Sequence, residues 1–226
     1  MHAILTEDSQ RDILIPIPRV PPKHRFTRLS SLRHLIVVGR GHDVPMNTVP
    51  ATHLFRRIDA LEYAWCLRLN RVCRRNVIRR LFAIISRLGD GVFWYTLMAL
   101  LPILYGVEGL YTSLRMAIVG IAGFVLYKYL KARLIRERPC VSVIGIVRGA
   151  LPLDRYSFPS GHTLHAVSFS IVLIASFPNL AWLCAPFAML VAMSRVILGL
   201  HYPTDVLAGA ILGVTLAGGA LLIGPA

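Results

Sequence analysis

The sequence predicts an all-α protein: an integral membrane helical bundle of about five transmembrane helices, preceded by N-terminal interfacial amphipathic helices. Three observations carry that expectation. Hydrophobic residues make up 55% of the 226-residue chain and mean hydropathy is +0.61, high for a soluble domain. From Gly91 onward the apolar residues gather into five sparsely charged segments. The net charge of +14 is also uneven. Residues 1–88 hold 16 Lys and Arg against 6 Asp and Glu, whereas residues 89–226 hold 9 against 5. A basic segment beside an apolar one suits the anionic headgroups of a bilayer, and no nucleic-acid partner is expected.

Taken in chain order, residues 1–57 are basic and proline-rich (IPIPRVPPKHRF) with little periodicity, and are expected to be irregular. MHAILTEDSQRD lacks the basic start and apolar core of a signal peptide. RGHD at 40–43 mimics an active-site tetrad but falls in this irregular stretch. A membrane domain is expected over 58–226. In its first part, 59–88, Leu61, Trp65, Leu69 and Val72 recur at helical spacing, as do Val77, Leu81, Ile84 and Ile85, with arginines between. That is the pattern of helices lying on a membrane surface. The spans are expected at roughly 91–107, 113–130, 163–178, 180–199 and 205–223, near the ~17–25 residues a bilayer requires. Breaks fall at GVEG (106–109), the polar stretch 131–160, FPN (177–179) and HYP (201–203). The small residues of the last span permit close helix packing. Cys66, Cys73, Cys140 and Cys184 form no CxxC pair and are read as free thiols.

Three polar clusters stand at the ends of these spans. KARLIRERP carries Lys131 and Arg138; PSGH carries Ser160, Gly161 and His162; SRVILGLHYPTD carries Ser194, Arg195, His201 and Asp205. The first cluster ends the second span and the next begins the third. Two further crossings bring the last cluster back to the same face. Three cations, two histidines, a carboxylate and hydroxyls gathered at one membrane boundary suit a phosphate group. The start of α-helical structure after Pro159 adds unpaired N–H groups and a positive dipole end.

The pattern KxxxxxxRP, PSGH, SRxxxxxHxxxD resembles the type 2 phosphatidic acid phosphatase family, whose site is shared with vanadium haloperoxidases and glucose-6-phosphatase. The resemblance is tight over 131–205 and looser over 59–223. It implies His201 as nucleophile, forming a phosphohistidine, and Asp205 as the acceptor of a hydrogen bond from its other ring nitrogen. It implies His162 as general acid for the leaving oxygen. Lys131, Arg138 and Arg195 would neutralise the phosphate oxygens, with Ser160 and the Gly161 N–H donating hydrogen bonds. No metal and no cofactor is expected, since fixed cations supply the charge.

Several neighbours receive plainer readings. Arg133 and Arg136 are read as a basic collar snorkelling to headgroups. His165, which makes HTLH with His162, is read as a packed histidine. Asp90 is read as a helix cap, and Arg148 or Arg155 as headgroup contacts from the 140–157 loop. Family members commonly have three spans before PSGH, whereas this chain shows two. The arginine-rich N-terminal region and the site would then share a face, which the positive-inside rule places in the cytoplasm of a bacterial inner membrane. The expected activity is hydrolysis of a lipid monoester or diphosphate of the isoprenoid diphosphate, phosphatidylglycerophosphate or phosphatidic acid type. Phosphotransfer by the same histidine, or non-catalytic binding and transport of a lipid phosphate, are the alternatives.

Overall fold

The computed structural model describes residues 51–152 and 154–223; the expectations for residues 1–50, RGHD among them, lie outside the described residues. All regular structure among these residues is helical. Helix α1 spans Ala51–Asn70 and leads through a 3₁₀ turn, Arg71–Arg74, into α2, Asn76–Leu88. The long α3 spans Gly91–Arg133, followed by a single turn α4 (Pro139–Ser142), α5 (Gly161–Ser176), α6 (Ala181–Ile197) and α7 (Pro203–Ile223). Helix α3, the Pro178–Ile197 stretch containing α6, and α7 are long and apolar enough to cross a membrane, and α5 is a shorter apolar helix.

Helix α1 begins at Ala51, ahead of the expected boundary at 57. The two spans expected at 91–107 and 113–130 are limbs of α3, folded back at Gly106, whose φ of 59° and ψ of −132° leave the helical region. Such a conformation is open essentially to glycine. The fold-back is tight. Ser113 Oγ donates to the Met98 carbonyl at 2.7 Å, whereas fifteen residues of straight helix would separate them by about 22 Å.

Helix α5 forms the centre, packed by α3, α6 and α7. Its Phe169 meets the edge of Trp94 at 5.1 Å between ring centroids. Trp94 also meets Phe187 of α6 at 5.8 Å. Helix α7 approaches α5 on a stripe of Gly209, Gly213 and Ala217, all buried. A Cβ on Gly209 would lie 2.5 Å from the Ser160 carbonyl oxygen, and one on Gly213 2.7 Å from that of Leu164. Small residues therefore set the α5–α7 spacing, as expected for packing in lipid.

Helix α1 reverses the usual orientation of an amphipathic helix. The apolar residues Leu61 and Trp65 face outward, while Glu62, Cys66, Asn70 and the following Cys73 are buried. Their i, i+4 spacing makes a polar stripe that faces protein. Asn70 ties the 145–149 loop to the end of α6: its side-chain amide donates to Val147 O at 2.9 Å and Ile197 O at 2.8 Å, and accepts from Val147 N at 2.7 Å. On α2, Val77, Leu81 and Ile84 are likewise exposed. The four cysteines are free thiols, with Cys66, Cys73 and Cys184 buried.

Candidate active site

One cavity of ≈ 640 Å³ draws residues from α3, α5, α6 and the turns between them. Lys131, Arg138, Gly161, His162, Arg195 and His201 all line it. Three clusters from distant sequence thus meet at one end of the bundle.

His201 is held in the turn between α6 and α7, where its N–H donates to Arg195 O at 3.1 Å. Its Nε2 lies 3.1 Å from Arg138 Nη1. A guanidinium only donates, so Nε2 offers its lone pair and the ring proton sits on Nδ1. Burial, then the charges of Arg195, Arg138 and Lys131, push this imidazole well below its ordinary value and keep it neutral. The expected hydrogen bond from Nδ1 to Asp205 is not formed: the atoms are 3.6 Å apart, and Nδ1 has no hydrogen-bond partner among the described residues. The Asp205 oxygens are held instead by Arg136 Nη1, at 2.5 Å from Oδ1, and by Tyr202 N–H, at 2.9 Å from Oδ2.

His162 opens α5, and its Nε2 pairs with the carboxylate of Asp90. Asp90 stands at the N-cap position of α3 but makes no side-chain hydrogen bond to its first turn; its carboxylate serves the histidine. Burial disfavours its charge, but the hydrogen bond and charge of His162, with Arg195 and Arg87, outweigh it and hold the carboxyl below its usual range. His165 has both ring nitrogens against carbonyls, Gly161 O at 2.9 Å and Gly120 O at 3.2 Å, and so ties α5 to α3.

The cations are fixed with similar care. Arg138 Nη1 also donates to Leu200 O at 2.7 Å, and its Nε to Asp154 O at 2.9 Å. Lys131 Nζ pairs with the Asp154 carboxylate at 2.7 Å. Arg195, 3% exposed, donates to Ser86 Oγ of α2, while its buried Nε has no partner among the described residues. That Nε is a donor pointing into no protein acceptor, as an anion site needs. Gly161 lines the cavity, and the atoms nearest to a Cβ there would be those of the Tyr127 ring, at 3.7 Å. Ser160 does not line it; its hydroxyl engages Thr163 Oγ1 at 2.9 Å.

Four contributors escaped sequence reasoning. Arg136 is no snorkelling collar. It is 2% exposed and bridges Asp205 to Glu62 of α1. In the 140–157 loop it is Asp154, not Arg148 or Arg155, that reaches the cavity. Asp90 and Ser86 enter from the α2–α3 junction. One signal was available: only five carboxylates follow residue 88, and Asp90, Asp154 and Asp205 all stand at this site. An acid is costly in an apolar region unless it has a partner.

The geometry meets its counterpart in known proteins. Residues 108–225 match the model of the PAP2 superfamily. The chain is 43% identical over 63 residues to an undecaprenyl-diphosphatase of Sulfolobus acidocaldarius, covering 27% of this chain and 30% of that protein. It is 33% identical over 98 residues to the undecaprenyl-diphosphatase BcrC of Bacillus subtilis, covering 43% and 50%. The matched stretches thus span half or less of those relatives. Among solved structures, a transmembrane PAP2-type phosphatidylglycerolphosphate phosphatase from Bacillus subtilis superposes with a TM-score of 0.63 at 24% identity, covering 76% of this chain and 89% of that one. LpxE of Aquifex aeolicus gives 0.61 at 23%, covering 80% and 99%. At such identities the likeness establishes the fold. The family match, the shared fold and the three motifs around one cavity agree: this chain belongs to the PAP2 superfamily, with α1, α2 and the first limb of α3 preceding the matched region.

Proposed function

We propose that the protein hydrolyses a phosphate monoester or diphosphate carried by a membrane lipid, through a phosphohistidine on His201. The observation that supports this most is the mixed lining of the cavity, in which Lys131, Arg138, Arg195, His162 and His201 share one space with the apolar Trp94, Met98, Ala117, Ile121, Phe124 and Phe169. From Lys131 to Ala117 along the second limb of α3 is about 21 Å, enough for a length of extended lipid chain. The names of two relatives, both undecaprenyl-diphosphatases, make a polyisoprenyl diphosphate the substrate class we propose.

In this reading Arg138 turns from His201 Nε2 to a phosphate oxygen, freeing the lone pair. Nε2 attacks phosphorus, and the bond to the leaving oxygen breaks as His162 delivers a proton to it. The ring, now bonded to phosphorus and still carrying the Nδ1 proton, is cationic, and Asp205 is the anion beside it. Water then attacks the phosphohistidine, His162 takes its proton, and inorganic phosphate leaves. Lys131, Arg138 and Arg195 hold the charge on the non-bridging oxygens.

The test is phosphate release by the full-length protein in detergent, with EDTA present, from a panel of lipid phosphates, beside His201→Ala. Release from the polyisoprenyl diphosphate that persists with EDTA and is lost in the variant is the expected result. Release indifferent to His201, or none from any lipid, would overturn it. Transfer to an acceptor lipid without free phosphate would make the protein a transferase.

A further inference from the structure

We propose that Glu62 of α1 and Arg136 act together as positioning residues for the Asp205–His201 pair, so that the helix preceding the family-matched region is a working part of the catalytic apparatus. The proposal rests on the reading of His201 as nucleophile. It begins with where the charges are. The side chains of Arg136, Glu62 and Asp205 are 1%, 9% and 0% exposed. Burying such groups is costly unless each is paired and its hydrogen-bonding atoms are used.

The Arg136 fork does both. Nη1 reaches Asp205 Oδ1 at 2.5 Å and Thr204 Oγ1 at 2.8 Å, and Nη2 reaches Glu62 Oε2 at 2.7 Å. The guanidinium lies 3.9 Å from the centroid of the Tyr202 ring, which fixes its plane. Glu62 spends its remaining capacity on the first turn of α7, accepting from Thr204 N at 2.6 Å and from the Thr204 hydroxyl at 2.8 Å. It serves as an N-terminal cap donated by another helix. One carboxylate of α1 therefore fixes both the arginine that grips Asp205 and the turn that carries Asp205.

Two consequences follow for His201. With Oδ1 occupied by Arg136 and Oδ2 accepting from Tyr202 N–H, Oδ2 is the oxygen left on the ring side, 3.6 Å from Nδ1. A small closure completes the hydrogen bond when the ring becomes cationic. The second consequence is one of charge. The groups acting on His201 are Lys131 from α3, Arg138 from the turn after it, His162 from α5, Arg195 from α6 and Asp205 from α7. Asp205 is the anion on the Nδ1 side of the ring, while Asp90 and Asp154 pair with His162 and Lys131. Arg136 offsets Asp205, and Glu62 offsets Arg136 in turn, so the Glu62 carboxylate favours the positive charge that the ring gains. A structural clasp for α1 would need neither this charge count nor a tie to Asp205.

The experiment compares wild type with Glu62→Gln, Glu62→Asp and Arg136→Lys as full-length proteins in detergent. It measures kcat and KM on a polyisoprenyl diphosphate and titrates the His201 ring by NMR on histidine-labelled protein. Glu62→Gln is expected to lower kcat about tenfold or more with KM nearly unchanged. It should also move the His201 titration to lower pH, since one negative charge is gone. Glu62→Asp should recover much of both. Arg136→Lys keeps the charge but loses the fork, and should lower kcat alone. Wild-type kcat together with an unmoved His201 titration in a folded Glu62→Gln protein overturns the proposal; if that variant fails to fold, wild-type kcat in Arg136→Lys does so. Should the wild-type protein turn over no lipid phosphate, the catalytic reading fails by itself, while the ring titration needs no turnover and still decides whether Glu62 acts on His201.

Discussion

His201 is a base whose lone pair points at a cation. With Nε2 3.1 Å from Arg138 Nη1 and the ring buried, protonation must be paid for against burial and three positive neighbours. The folded value therefore lies well below the ordinary 6.5. The sign of the linkage is then set. Below about pH 6.5 the unfolded chain takes up a proton at this position that the folded chain refuses, so stability falls as pH falls. Above that pH this residue contributes no pH dependence. The thermal midpoint in detergent is expected to drop on acidification below 6.5, and to drop less in His201→Gln. Equal acid sensitivity in the two proteins would mean the ring is protonated in the folded state. For the same reason the acid limb of kcat/KM should lie below the ordinary histidine range.

At the scale of elements, the proposed catalysis depends on how closely two helices approach. Ser160 and His162 enter α5, Asp205 enters α7, and Ser160 N donates to Asp205 O at 3.0 Å. The spacing is set by Gly209, whose absent Cβ would sit 2.5 Å from Ser160 O. Gly209→Ala cannot be absorbed by a flexible side chain, because the obstacle is backbone. It is expected to destabilise the protein by about 1–3 kcal/mol and to cut kcat by about a hundredfold by displacing the two histidines relative to each other. Measuring kcat beside the midpoint of thermal unfolding separates the two effects. Wild-type kcat in the variant would show that the helices can part without disturbing the site.

At the scale of the whole molecule, the motif half of the site was legible and the supporting half was not. Lys131, Arg138, His162, Arg195 and His201 could be placed together because spans alternate and each residue sits at a span end. The cost of charge in an apolar segment also made Arg195 conspicuous. Arg136 stood two residues from Arg138 in a run of basic residues, where nothing in the spacing separates a buried fork from a snorkelling one. Glu62 meets Thr204 across 142 residues of sequence, and no periodicity reports such a contact. The helical period of α1 and its outward apolar stripe of Leu61 and Trp65 were legible; what the opposite stripe holds was not. In a membrane the apolar stripe turns outward, so the inward stripe is the polar one carrying Glu62. The fold-back at Gly106 was legible as a break because GVEG interrupts the apolar run.

The ion pair between Lys131 and Asp154 has a consequence for turnover. The site keeps an anion of its own, tethered to one of the cations proposed to bind phosphate. A product leaving such a site is exchanged for a resident carboxylate and does not have to leave bare cations behind. Inorganic phosphate should therefore be a weak product inhibitor. Asp154→Asn is expected to tighten that inhibition by about tenfold, the effect of one modest charge interaction. It should also slow release, so that kcat becomes limited by departure of phosphate and a burst precedes the steady rate. An unchanged inhibition constant would show that Asp154 stays on Lys131 while phosphate is bound. In the first case the protein sheds its product by substitution, as an ion exchanger regenerates its resin.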